Sequence, residues 1–326
     1  MAFDRFGRKI HYLRLSLTDH CNLRCVYCMP EQMTFRPTAE MMQDDEVLVL
    51  ARLFADLGFD KVRLTGGEPT CRSRIVEIVR GIAATPGIRS VSMTTNGVLL
   101  SRLAGPLAEA GLERVNISLD TLNPEKFRRM TRWGDFQQVW QGILTAEAAG
   151  LTPVKLNSVV VRGYNEDEIS DLASLTLSHP WQVRFIEMMP VGSEGEFQLG
   201  QRISLQEMQA AVEGVLGPLQ PVSGEALDGE ARTYRLPGAL GDIGFVSSIS
   251  EPFCQDCNRA RLTPDGILRM CLLQDRQVDL LTPLRKGVSP DELRQLVLEG
   301  IWDKPWGHTL AEGQFPRDRT MSEIGG

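Results

Sequence analysis

Six of the seven cysteines fall into two trios, Cys21, Cys25 and Cys28 near the start and Cys254, Cys257 and Cys271 near the end. An odd count in groups of three points to metal or redox chemistry rather than disulfide pairing. A closed structural zinc site wants four ligands, so each trio is one short. A 4Fe–4S cluster is normally held by cysteine thiolates, and three of them leave one iron open to a substrate or cofactor. For the first trio, zinc with His20 as fourth ligand is a second reading. Plain packing is a third, opposed by the polar neighbours Asp19, Asn22 and Arg24. Cys71 is the one cysteine outside both trios, and a packed thiol near the glycine motif is expected there. Arg259 and Arg261 follow Cys257 at alternate positions. On an extended segment both guanidiniums share a face, which suits bidentate phosphate recognition. Without the cysteines, a solvated basic strand would be the better reading.

Short apolar runs alternate with longer periodic ones. Strands are expected at Tyr12–Leu17, Lys61–Thr65, Val91–Thr95, Val115–Leu119, Val154–Val161 and Val183–Ile186. Helices are expected at Asp45–Leu57, Ser73–Ala84, Ser101–Ala110, Phe136–Ala149 and Glu166–Leu177. Repeated β-then-α units imply a parallel sheet with right-handed crossovers. The fold class is therefore α/β, an incomplete (β/α)6 TIM-like barrel over residues 1–217. A smaller C-terminal α+β domain, residues 218–326, carries the second trio. Gly192–Gly200 reads as a polar, Gly-rich loop. Along the strands one parity is apolar (Leu13, Leu15, Val62, Leu64, Val115, Ile117). The other is polar (Arg14, Ser16, Arg63, Thr65, Thr94, Asn96, Asn116, Ser118, Asp120, Lys155, Asn157). Side chains alternate faces, so a barrel interior of this kind would be lined with cations and amides. Each such group costs about 1–3 kcal/mol if buried unpaired, so the pattern implies a polar, anionic ligand. A one-sided sheet with a wet face is the alternative, and parallel sheets rarely face water.

Gly66-Gly67-Glu68-Pro69 directly follows the second expected strand. Glycines there allow a ligand to approach the backbone closely, although Gly and Pro also punctuate ordinary turns. With Cys21-Asn22-Leu23-Arg24-Cys25-Val26-Tyr27-Cys28 in front of it, the chain resembles the radical S-adenosylmethionine (SAM) superfamily. That resemblance implies an open iron that chelates SAM, Tyr27 against the adenine, and Gly67 at the SAM amino group. Ser118 and Met189 match further SAM-contacting positions, with core packing as an alternative for Met189.

The second trio, Asn258-Arg259-Ala260-Arg261, Arg184-Phe185-Ile186-Glu187 and the terminal Gly325-Gly326 narrow the resemblance, which runs from about Phe6 to Gly326. Together they resemble the GTP 3′,8-cyclases, the molybdenum-cofactor biosynthesis protein A family. The resemblance implies a lyase with two 4Fe–4S clusters and SAM. In its chemistry, hydrogen is taken from ribose C3′ of GTP and C3′ bonds to guanine C8. Reduction then gives (8S)-3′,8-cyclo-7,8-dihydroguanosine 5′-triphosphate. Arg14, Arg63, Thr94, Lys155, Arg259 and Arg261 would contact GTP, Arg184 would be a further phosphate contact, and the second cluster would meet the guanine. Gly325 and Gly326 would reach into the active site, whereas chain ends usually fray. The resemblance further implies a flavodoxin- or ferredoxin-type electron donor, a homodimer, and a product passed to cofactor-biosynthesis protein C.

Composition is consistent with these readings. The 326 residues are 42% hydrophobic and 24% charged, with net charge −7. No global basic field exists to gather nucleic acid or a membrane surface. No secretory leader and no membrane-length apolar run is visible, so a cytoplasmic location is expected. Two rival readings remain. One is a radical SAM peptide maturase with an auxiliary cluster, and the other is a zinc-stabilised binding protein without catalysis.

Overall fold

The computed structural model describes residues 1–192, 195–222 and 231–325. Its first six strands are β1 (Tyr12–Ser16), β2 (Lys61–Thr65), β3 (Ser90–Thr95), β4 (Arg114–Ser118), β5 (Lys155–Val160) and β6 (Gln182–Glu187). Between them run helices α1 (Asp44–Asp56), α2 (Ile75–Ala83), α3 (Leu100–Glu109), α4 (Pro124–Thr131), α5 (Phe136–Ala148) and α6 (Ile169–Ser178). The outward strand residues Leu13, Leu15, Val62, Leu64, Val115 and Ile117 are buried in one core with the inner faces of these helices. Hydrophobic alternation therefore sets which strand face meets the helices.

After β6 come α7 (Gly195–Gly200) and α8 (Leu205–Leu216), then β7 (Gln220–Pro221), β8 (Arg232–Arg235), β9 (Asp242–Val246), β10 (Arg259–Leu262), β11 (Ile267–Arg269) and β12 (Gln277–Asp279). Helices α9 (Leu281–Arg285), α10 (Pro290–Trp302) and α11 (Met321–Ile324) complete the chain. All twelve strands form one sheet in the order β12-β11-β10-β1-β2-β3-β4-β5-β6-β9-β8-β7. Strand β10 pairs parallel with β1, and β9 pairs parallel with β6. The six expected parallel strands are thus flanked on both edges by strands from beyond residue 217. Ala260, Leu262, Leu268, Val297 and Ile301 join the same core as Leu13 and Val62. The segments on either side of residue 217 therefore share one sheet and one core.

Two expectations are corrected. Gly195–Gly200, expected to be loop, is helical. Its Gln198 accepts from Val191 N–H at 2.6 Å and donates to the Tyr27 carbonyl at 2.7 Å, so tertiary contacts override the glycines. Helix α4 was not expected. Its start is nonetheless marked by Asn123, whose side chain accepts from the N–H groups of Glu125 and Lys126, with Pro124 in the first turn. Among the described residues no helix is long and apolar enough to cross a membrane.

Candidate functional site

Cys21, Cys25 and Cys28 lie on the loop after β1, at the C-terminal ends of the parallel strands where α/β barrels place their sites. Helix α4 shapes that loop from one side. Thr131 and Met130 carbonyls accept from Arg24 N–H at 3.1 Å and Val26 N–H at 2.9 Å. Arg132, with φ at +64°, donates to the carbonyls of Arg24 and Met29, both at 3.2 Å. The glycine motif presses from the other side. A Cβ on Gly67 would collide with the carbonyl oxygens of Asp19 and His20, which only glycine avoids. Glu68 anchors the motif, accepting from Thr70 N–H and Oγ1, Thr95 Oγ1 and Asn96 N–H at 2.5–3.0 Å. Asn96 in turn donates to Asn22 Oδ1 at 2.7 Å, and its amide nitrogen lies 3.8 Å from Cys21 Sγ.

The trio lines a single cavity with Arg14, Tyr27, Thr65, Gly67, Thr94, Ser118, Asp120, Asn157, Arg184 and Met189. Burial, joined by Glu68, pushes the Cys21 thiol up to about 12; burial and the Asp120 carboxylate push Cys28 to about 12 and raise Cys25 well above the usual thiol range. Thiolates buried this way need a bound cation. Among the described residues no three His, Cys, Asp or Glu side chains converge on a single metal ion. Three thiol donors on one cavity wall match the cysteine ligation of an iron–sulfur cluster with one iron left open. Tyr27 Oη donates to Asp120 Oδ2 at 2.7 Å, fixing the ring beside the trio. Burial raises Asp120 to about 6, opposed by hydrogen bonds from Tyr27 and Val159.

Cys254, Cys257 and Cys271 line an adjoining cavity with Arg259, Arg261, Met270 and His308. Arg14, Met189 and Val246 belong to both cavities. Burial alone would raise the Cys257 thiol, but Lys304 and Arg259 outweigh it and hold it down at about 6. Cys257 is thus favoured as thiolate, whereas burial raises the Cys254 thiol, and the three sulfurs suit an iron cluster by the same donor chemistry.

Several polar-parity residues lie side by side on neighbouring strands. Arg14 pairs in register with Arg63 on one side and Arg261 on the other, giving a row of three guanidiniums across β10, β1 and β2. Asn157 stands beside Ser118 and Arg184, and Lys155 beside Asn116. Arg63 and Lys155 do not line either cavity, and Arg63 lies over the Tyr12 ring. Among the described residues, Ser16 Oγ, Thr65 Oγ1, Arg63 Nε and both amide atoms of Asn116 are buried without a hydrogen-bond partner. These orphaned groups fit a chamber built for a polar ligand.

Gly325 sits inside the chamber. Its carbonyl accepts from Arg261 at 2.9 Å, and a Cβ on it would lie 2.6 Å from Thr65 Oγ1 and 2.8 Å from Ser16 Cβ. Gly326 lies outside the described residues. Cys71 is exposed rather than packed. Glu68 and Arg132 carry positioning contacts that spacing alone did not single out, whereas Asp120, which bonds Tyr27, belongs to the inward polar parity. The Glu68 signal lay in the glycine motif itself. Arg132 left none, because its hydrogen-bond partners are backbone carbonyls.

Residues 15–176 match the radical SAM superfamily, and residues 181–310 match Molybdenum Cofactor Synthesis C. A GTP 3′,8-cyclase of Pelotomaculum thermopropionicum is 47% identical over 99% of both chains. One from Heliobacterium modesticaldum is 48% identical over 99% of both. Among solved structures, Streptococcus suis SuiB bound to S-adenosylmethionine aligns with a TM-score of 0.61 at 14% identity, covering 95% of this chain and 76% of that one. That likeness shows the fold alone. Nearly half identity sustained from end to end leads to one conclusion: this chain belongs to the GTP 3′,8-cyclases, radical SAM enzymes of molybdenum-cofactor biosynthesis.

Proposed function

We propose that the two cavities act as one chamber, with SAM held at the first trio and GTP spanning from the guanidinium row to the second trio. The observation that carries this reading is the shared wall. Arg14, Met189 and Val246 border both cavities, so a ligand on the second trio lies next to one on the first. When bound, the first cluster and SAM supply a one-electron hydrogen abstraction from the ribose. The protein's own part is to position, neutralise and exclude water. Gly67, Ser118 and Met189 line the SAM side, and Asp120 keeps Tyr27 in place for the adenine. Arg14, Arg259 and Arg261 line the walls toward the triphosphate and Thr94 and Arg184 run along the nucleotide, while Arg63 and Lys155, outside both walls, would add positive charge to the same site. Arginines stay charged throughout and match phosphate oxygens two at a time. The Gly325 carbonyl accepts from Arg261, which supports a role for the glycine tail beside the reacting centre, where a side chain would displace substrate.

The same reading extends to a flavodoxin- or ferredoxin-type electron donor, a homodimer, a cytoplasmic location and transfer of the product to cofactor-biosynthesis protein C. The test separates the trios. Cys25→Ser should abolish SAM cleavage. Cys257→Ser should leave SAM cleavage in place and lose the cyclised nucleotide. Cyclisation retained by Cys257→Ser would remove the second trio from the reaction.

A further inference from the structure

Lys304, two residues beyond α10, is 2% exposed. Its ammonium donates to the Arg259 carbonyl at 2.8 Å and to the Met270 carbonyl at 2.5 Å. Arg259 stands two positions after Cys257, and Met270 immediately precedes Cys271. One side chain thus ties together the two stretches of chain that present two of the three sulfurs. Among the described residues, Lys304 has no carboxylate partner. Burial works against its ammonium most strongly, the Cys257 and Cys271 sulfurs favour it, and Arg8 and Arg259 oppose it. Arg8 makes the contrast clear. It bonds the Cys254, Pro305 and Trp306 carbonyls at 2.5–3.0 Å, and its charge is already matched by Asp4 at 2.6 Å. A buried ammonium without a carboxylate is costly unless another anion faces it. A thiolate-bound iron cluster is such an anion.

We propose that Lys304 is a positioning residue for the second cluster, holding the Cys257 and Cys271 segments in register and offsetting the negative charge of the thiolate-bound iron. A cation beside a cluster favours its reduced, more negative form, so net charge and nearby donors set the reduction potential. The inference rests on the second trio holding a cluster.

The test compares wild-type holoenzyme with Lys304→Met and Lys304→Arg, by iron content and by EPR-monitored reductive titration of each cluster. In Lys304→Met the second cluster should shift to lower potential or be lost with about half the iron. The first cluster should titrate as in the wild type, and Lys304→Arg should restore the second. Wild-type behaviour in Lys304→Met overturns the inference. So do equal changes in the Met and Arg variants, which would show that charge is not what acts. Loss of both clusters in Lys304→Met also overturns it, since the role would then be general folding. A wild-type protein with iron for one cluster only would instead overturn the second-trio reading.

Discussion

At the scale of single residues, the site depends on close approach and on buried charge. A Cβ on Gly67 would strike the two backbone carbonyls that lead into Cys21. Gly67→Ala should therefore lower iron at the first trio by displacing the cysteine loop, as iron analysis of the purified variant would show. An unchanged iron content would mean that the loop gives way freely. Asp120 makes a second prediction, about pH. Burial lifts its carboxyl to about 6, above an unfolded value of about 3.9. The protonated form favours the fold, so its contribution is complete below about 3.9 and fades as pH rises through about 6. It amounts to at most about 3 kcal/mol. Asp120→Asn stays neutral, so the variant should gain on the wild type between those pH values in thermal melts. Parallel melting curves would contradict this.

At the scale of elements, much was legible. Each of the first six strands lies within one residue of the position its apolar alternation indicates. The inward set Arg14, Ser16, Thr65 and Asn116 is buried as the opposite parity requires. Period-two alternation reports both the strand and the face, so one pattern carried both facts. Helix α4 was not legible, because only Phe127 and Met130 face inward among its apolar residues and eight residues give too few turns to show a period. Its function is to present its last carbonyls to the cysteine loop, a backbone role that composition does not record. Losing the Asn123 cap should cost about 1 kcal/mol. Asn123→Ala should therefore lower the melting temperature by a few degrees and loosen the first trio, measured as faster iron release to a chelator. Wild-type release would separate α4 from the cluster.

At the scale of the whole molecule, the cysteine trios are brought together by chain that returns to both sheet edges. Sequence separation hid this. The β9 and β10 runs are short, and nothing local tells that they pair with β6 and β1. A fragment of residues 1–217 would expose both of those edges and part of the core that Leu262, Leu268 and Val297 complete. Exposed parallel edges and apolar surface promote aggregation. The fragment should therefore be insoluble or molten by near-UV circular dichroism, while a well-folded monomeric fragment would show that the parallel strands need no closure. The central claim concerns what the closed chamber does. Its most direct measurement is anaerobic incubation of the iron-loaded enzyme with SAM, a one-electron reductant and GTP deuterated at ribose C3′, followed by mass analysis. The label should appear in 5′-deoxyadenosine in step with a cyclised nucleotide. Unlabelled 5′-deoxyadenosine beside intact GTP would contradict it.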